Sequence, residues 1–135
     1  MAETDADRVA LRFVNEINRQ DVTALTELMA ANFRYVDGLG QEVRGRERMR
    51  ERWTSQFAGS PDFRIVIRDH LSLGSVVALF GTASGTYNEP GAPTARNRWS
   101  VPGAWRAVVR DGRVEEWCDY CDHDPAHRPA DPGLA

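Results

Sequence analysis

Apolar residues recur at helical spacing near the start of the chain. Ala6, Val9, Ala10, Phe13, Val14 and Ile17 make one stripe, with Arg8, Arg12, Asn15 and Glu16 between them. That alternation predicts an amphipathic helix. Asp21 is placed to cap a second helix, because its carboxylate can accept from the free amides of the next turn. Val22, Leu25, Leu28 and Met29 supply the buried stripe of that helix. The pattern then becomes strand-like over Phe33–Val36, Asp37-Gly38-Leu39-Gly40 predicts a turn, and Val43 falls on the returning strand. After Gly45, Met49, Trp53 and Phe57 share one helical face at i, i+4 and i+8. The arginines and glutamates around them are expected to face water, and Gly59-Ser60-Pro61 stops this third helix.

The remainder predicts strands. Phe63–Leu73 alternates in part, and Val76–Tyr87 is apolar with glycines and small residues. Asn88–Pro93 is a polar Gly/Pro loop. Arg98–Arg110 and Val114–Cys121 are joined by Asp111-Gly112, a strong hairpin signal. Pro102 cannot donate to a ladder, so a bulge or an edge is expected there. Helices first and antiparallel strands afterwards predict an α+β domain. Val76-Val77-Ala78-Leu79-Phe80 is apolar at successive positions, so both of its faces call for cover: the helices on one side and a second subunit on the other. One domain is expected over residues 1–122. A proline-rich tail over residues 123–135 is expected to be extended or disordered.

Composition narrows the functional classes. The 135 residues suit one domain, with 41% hydrophobic and 27% charged residues, an ordinary globular balance. Net charge is −3 and no stretch concentrates one sign, so neither a nucleic-acid nor a membrane partner is expected. No apolar run approaches the roughly 18 residues of a membrane span. The acidic start, Met-Ala-Glu-Thr-Asp-Ala-Asp, does not resemble a signal peptide, which predicts a cytoplasmic protein. Cys118-x-x-Cys121-x-His123-x-x-x-His127 has the residue types of a tetrahedral zinc site. On a strand, however, Cys118 and Cys121 point to opposite faces, so no metal is expected. No phosphate-binding glycine loop, Gly-x-Ser-x-Gly elbow or dinucleotide fingerprint occurs, and no cofactor is expected.

Three segments carry a family resemblance. They are Phe33-Arg34-Tyr35-Val36-Asp37-Gly38-Leu39-Gly40 with Arg44-Gly45, then Phe80-Gly81-Thr82-Ala83-Ser84-Gly85, then the run from Asp111 to Asp122 containing Glu116-Trp117-Cys118-Asp119-Tyr120-Cys121. In this order of elements, residues 6 to 122 resemble the nuclear transport factor 2-like superfamily, which includes ketosteroid isomerases, SnoaL-like polyketide cyclases and limonene-epoxide hydrolases. The resemblance implies a cone: a curved, antiparallel-rich sheet wrapped by three helices around one pocket, and a homodimer through the outer sheet face.

The candidate chemistry follows from both readings. Phe33, Tyr35 and Asp37 share a strand face by alternation. A carboxylate at the end of an aromatic face is partly desolvated and becomes a better base near neutrality. Asp37 also matches the position of the base in ketosteroid isomerases, although aspartate is common in such turns for its own sake. Asp119 matches the first aspartate of the Trp-x-Asp-Tyr-x-Asp pattern of limonene-epoxide hydrolases, where it helps activate water. Trp117, Asp119 and Cys121 alternate onto one face. The Arg-x-Asp pair of those hydrolases is matched here by Thr82 and Ser84, and no tyrosine-plus-acid oxyanion hole is visible. His70, at a strand end, is a third candidate acid or base. Tyr35, Trp53, Phe57, Trp99, Val101, Trp105, Trp117 and Cys121 are the expected walls for a small apolar ligand. The leading expectation is a cofactor-free isomerase or cyclase acting on a polyketide-, steroid- or terpenoid-like substrate through a carboxylate base. A non-catalytic binding protein and an epoxide hydrolase are the alternatives.

Overall fold

The apolar stripes become helices, and hydrogen-bonding side chains set where they start. In the computed structural model, which describes residues 4–86 and 98–122, α1 spans Asp5–Arg19 and buries Ala10, Phe13, Val14 and Ile17. The Thr4 hydroxyl accepts from the Asp7 amide, and the Asp7 carboxylate accepts from the Thr4 amide. This capping box satisfies two donors that the helix start would otherwise orphan. α2 spans Val22–Leu28, and the Asp21 carboxylate accepts from the Ala24 amide at 3.0 Å. α3 spans Arg46–Gly59 and buries Met49, Trp53 and Phe57.

Met29 departs from its expected place in the second helix. It caps α2 with extended backbone (φ −84, ψ 136) and opens β1, Met29–Val36. Pairing with Val114 draws the chain into the sheet there, and Met29 is fully buried in the core from the strand. Tertiary pairing overrides the helical stripe.

Five more strands follow: β2 (Glu42–Arg44), β3 (Arg64–Leu73), β4 (Val76–Thr86), β5 (Arg98–Arg110) and β6 (Arg113–Asp119). They form one open sheet in the order β2-β1-β6-β5-β4-β3. The expected α+β architecture is present. The sheet is mixed, because β1 runs parallel to β6 while the other neighbours are antiparallel. Asp111 and Gly112 both take positive φ, 52° and 74°, which a tight hairpin between right-twisted strands requires. The β4 ladder continues through Pro102 without a register shift. Pro102 stands beyond Trp105↔Asp119, the last β5–β6 pair, so the proline occupies an edge.

The helices cover one face. α1 packs across β3, β4, β5 and β6, and α3 across β1 and β2. The Asn18 side chain bonds the Ile65 backbone through both its oxygen and its nitrogen, at 2.8 Å each, and ties α1 to β3. Phe13 meets Phe33, Trp53 and Trp117 with ring centroids 4.9–6.1 Å apart. Burying a side chain of this kind stabilises the fold by about 1.5–3 kcal/mol.

The other face is open. Across β2, β1, β6 and β5 it carries ion pairs joining Arg44, Glu42, Arg34, Glu116 and Arg106. On β3 and β4, Val66 and Phe80 are exposed. The loop over residues 88–93 and the tail over 123–135 lie outside the described residues.

Candidate functional site

At one end of the inner face the elements diverge and leave a cavity of about 870 Å³. β1 contributes Tyr35, and the turn after it contributes Asp37, Gly38 and Leu39. α3 contributes Arg52, Ser55, Gln56 and Gly59, followed by Ser60 and Phe63. β5 supplies Trp99, and the segment just after β6 supplies Tyr120, Cys121 and Asp122. This volume suits a ligand of several fused rings.

The floor holds a buried polar pair. The Tyr35 hydroxyl donates to Asp119 Oδ2 at 2.6 Å. Cys121 Sγ lies 3.6 Å from Asp119 Oδ1. Asp119 is only 8% exposed and Tyr35 only 4%. Burial and the neighbouring Asp119 raise the pKa of Tyr35 well above its ordinary value. The phenol therefore remains a donor toward the carboxylate. The guanidinium carbon of Arg52 lies 5.5 Å from the centroid of the same Tyr35 ring, within cation–π range. Gly103 makes room beneath this site: a Cβ there would lie 2.6 Å from both Cys121 Sγ and the Trp105 ring.

The expected residues divide. Asp37, Tyr35, Trp99 and Cys121 border the cavity. Asp37 is half-buried, and its Oδ1 accepts from the Leu39 and Gln41 amides at 2.9 Å each. It therefore holds the turn as well as facing the cavity. Asp119 lies one shell below the surface, behind Tyr35. Trp53, Phe57, Val101, Trp105 and Trp117 are not brought to the cavity wall; they are buried in the core. Trp53 stacks on Phe57 at 5.6 Å, and Trp117 packs on Phe13 at 4.9 Å. Strand alternation put Trp105 and Trp117 on the inner face, and helical spacing put Trp53 and Phe57 on the sheet-facing stripe of α3. The inner face also has to meet α1 and α3, and the helices claim most of it.

His70 is placed elsewhere. It sits on β3 against the start of α1, with Nδ1 3.5 Å from Asp7 Oδ1, and does not border the cavity. The reason is register: β3 is the far edge strand, three strands from Asp119. Thr82 and Ser84 are misplaced for the epoxide-hydrolase pair as well. Along β4 the buried inner positions are Val77, Leu79, Ala83 and Gly85, so Thr82 and Ser84 belong to the outer face. Inner β4 carries no arginine or aspartate.

The sequence pattern gave no cavity role to Arg52, which was expected to face water with the other arginines of α3, or to Ser55 and Gln56. With Gly59 they form a second stripe of α3 at i, i+3, i+4 and i+7, beside the buried one. The available signal was that this stripe contains no glutamate, although α3 has Glu47 and Glu51 elsewhere. The cysteines point as a strand dictates. Cys118 bonds Glu116 on the outer face, and burial with that carboxylate pushes its thiol pKa up to about 11. Cys121 turns toward Asp119. His123 and His127 lie outside the described residues, and no group of potential metal ligands forms among the described ones.

A family sequence profile matches residues 10–117. The chain belongs to the SnoaL-like domain family. This SnoaL-like chain is similar to IdmH, a candidate polyketide cyclase from Streptomyces antibioticus, with 26% identity and a TM-score of 0.75 over 87% of this chain and 91% of that one. An LEH-like epoxide hydrolase from M. tuberculosis superposes with a TM-score of 0.76 at 20% identity, over 89% and 84% of the two chains. A protein of ketosteroid isomerase-like fold from Catenulispora acidiphila, in complex with trimethylamine, superposes with a TM-score of 0.72 at 24% identity, over 83% of each chain. The last two likenesses bear on the fold alone. No curated protein sequence matches this SnoaL-like chain. Among the described residues, no helix is long and apolar enough to cross a membrane.

Proposed function

We propose that this SnoaL-like protein is a cofactor-free isomerase or cyclase that takes a proton from carbon beside a carbonyl of a flat, largely apolar substrate of polyketide, steroid or terpenoid type. The observation that carries the reading is the buried 2.6 Å bond from Tyr35 to Asp119 at the floor of an aromatic cavity. A buried carboxylate is costly unless it is paired or used. Here its donor is the residue that faces the cavity.

Tyr35 and Asp119 act as one acid–base unit. The phenol of Tyr35 does not ionise alone. It gives its proton to Asp119 as it accepts the substrate proton, and the C–H electron pair moves to the carbonyl oxygen as an enolate. Return of the proton to another carbon completes an isomerisation. Attack of the enolate carbon on a second carbonyl, with that oxygen taking the proton, completes a cyclisation. Tyr35, Trp99 and Cys121 touch the substrate, Asp37 borders the mouth, and the buried tryptophans keep the walls rigid. The experiment is turnover of candidate polyketide and terpenoid carbonyl compounds. Asp119→Asn should abolish it and Asp37→Asn should weaken it. Unchanged turnover in Asp119→Asn would overturn the mechanism.

A second reading is a binding protein that performs no chemistry. One oxygen of Asp37 is committed to the turn, and Asp119 does not border the cavity, which favours it. A ligand that binds tightly and is recovered unaltered would decide for it. We also place a second copy of the chain on the outer face, where Phe80 and Val66 are exposed. If so, Phe80→Glu converts a dimer to a monomer in sedimentation. A cytoplasmic location suits the two cysteines, which no disulfide joins.

A further inference from the structure

Proton abstraction leaves negative charge on the substrate oxygen, and an active site needs a preorganised partner for that charge. We infer that Arg52 is this partner: its guanidinium binds the enolate oxygen, or an acidic oxygen already present on the substrate, and so selects flat fused-ring compounds that carry an enol, phenol or carboxylate on the α3 side. The inference rests on the acid–base reading of Tyr35 and Asp119.

Position is the first support. Arg52 borders the cavity directly above the Tyr35 ring, at 5.5 Å, and that ring's hydroxyl bonds Asp119. The cation therefore stands over the face of the same tyrosine whose hydroxyl bonds the buried carboxylate. A carbonyl oxygen and its neighbouring carbon, adjacent atoms of one molecule, can reach both. Availability is the second. Arg8, Arg19, Arg34, Arg44, Arg106 and Arg110 each hold a carboxylate. Arg52 has no ion pair among the described residues. A guanidinium resting over a ring face keeps its five N–H donors around its rim.

Charge is the third support. Asp37 and Asp122 also border the cavity, and Arg52 is the one cation among its described lining residues. An anionic oxygen is repelled by Asp37 in the turn and drawn to Arg52 on α3. Ser55 and Gln56, on the same helical stripe, add neutral donors beside it. Arg52 thus supplies an oxyanion partner in a site where α1 carries no tyrosine and central strand β4 carries no acid.

The test uses binding, independent of turnover. Dinitronaphthol, ionised at neutral pH, and its methyl ether, which cannot ionise, are titrated into the full-length protein by calorimetry. The naphtholate should bind the wild type more tightly than the ether by roughly tenfold or more, as a charge-assisted contact implies. Arg52→Gln should erase most of that preference while leaving the ether unchanged, and Arg52→Lys should restore part of it. Arg52 is exposed, so the variants should fold, with circular dichroism as the check. Equal binding of both probes to the wild type, a preference that survives Arg52→Gln, or no binding of either probe would each overturn the inference. Failure here with Asp119→Asn still inactive removes Arg52 alone. A preference that holds while Asp119→Asn keeps full turnover removes the acid–base reading instead.

Discussion

Two aspartates are buried on the inner side of the sheet, one at the end of β6 and one on α1 against β3, and they do opposite things. Asp7 is 5% exposed and Asp119 is 8% exposed. Asp7 Oδ2 accepts from the Thr4 amide, the Thr4 hydroxyl and the Ser72 hydroxyl at 2.9–3.1 Å. Those donors stitch the first turn of α1 to β3, and His70 closes the site from outside. Asp119 accepts from Tyr35, and beyond Tyr35 lies the cavity. Burial does not separate a structural carboxylate from a reactive one. What lies behind the donor does.

The sharpest way to break this comparison is to neutralise each carboxylate in turn. Asp119→Asn should lower turnover by about 10²- to 10⁴-fold, the range for removing a general base. Its melting temperature should barely change, because the amide oxygen still accepts from Tyr35. Tyr35→Phe comes next. It removes one donor from a buried carboxylate, which costs about 1–3 kcal/mol of stability in denaturant titration, and it should cut turnover as well. If Tyr35→Phe destabilises the fold but leaves turnover intact, the pair is structural like Asp7.

Asp7→Ala should show the reverse profile: a loss of about 1 kcal/mol, the usual size of a capping interaction, with turnover unchanged. The stability contribution of Asp7 also has a defined pH window. The Thr4 amide, with the Thr4 and Ser72 hydroxyls and His70, holds the Asp7 pKa below its ordinary 3.8 against the opposing effect of burial. The contribution is complete above that ordinary value. It is lost as the pH falls through the lowered one, when the folded state too must bind the proton. Acid unfolding of Asp7→Ala should therefore lose this component. The smallest effect belongs to His70→Ala, within about 0.5 kcal/mol of wild type as for ordinary surface positions, with full turnover. A large loss of activity there would return His70 to the chemistry.

Legibility followed the range of the interaction. The α1 stripe, the Asp21 cap, the Gly59-Ser60-Pro61 stop and the Asp111-Gly112 hairpin were all readable, because each depends on residues within about four positions. Tyr35 and Asp119 were each on a correct face. Their bond was not readable, because it joins strands from opposite ends of the chain through the parallel β1–β6 pairing. The tryptophans show a different limit. Period-2 alternation says which side of the sheet a ring occupies. It does not say whether a helix or solvent stands over that side, so Trp105 and Trp117 were expected in a wall and are found in the core, as is Trp53 from the buried stripe of α3. Thr82 and Ser84 show a third, since a one-residue difference in parity moves both to the outer face.

By itself, the sequence determined the helices, the strands, the hairpin and the inner-facing aromatic set, because hydrophobic periodicity and turn chemistry are local. Tertiary structure alone decided which inner residues border empty space, that Arg52 leans over Tyr35, and that Asp119 rather than His70 lies beneath the cavity. Those outcomes depend on where α1 and α3 run out of sheet to cover, and no window of the chain contains that distance.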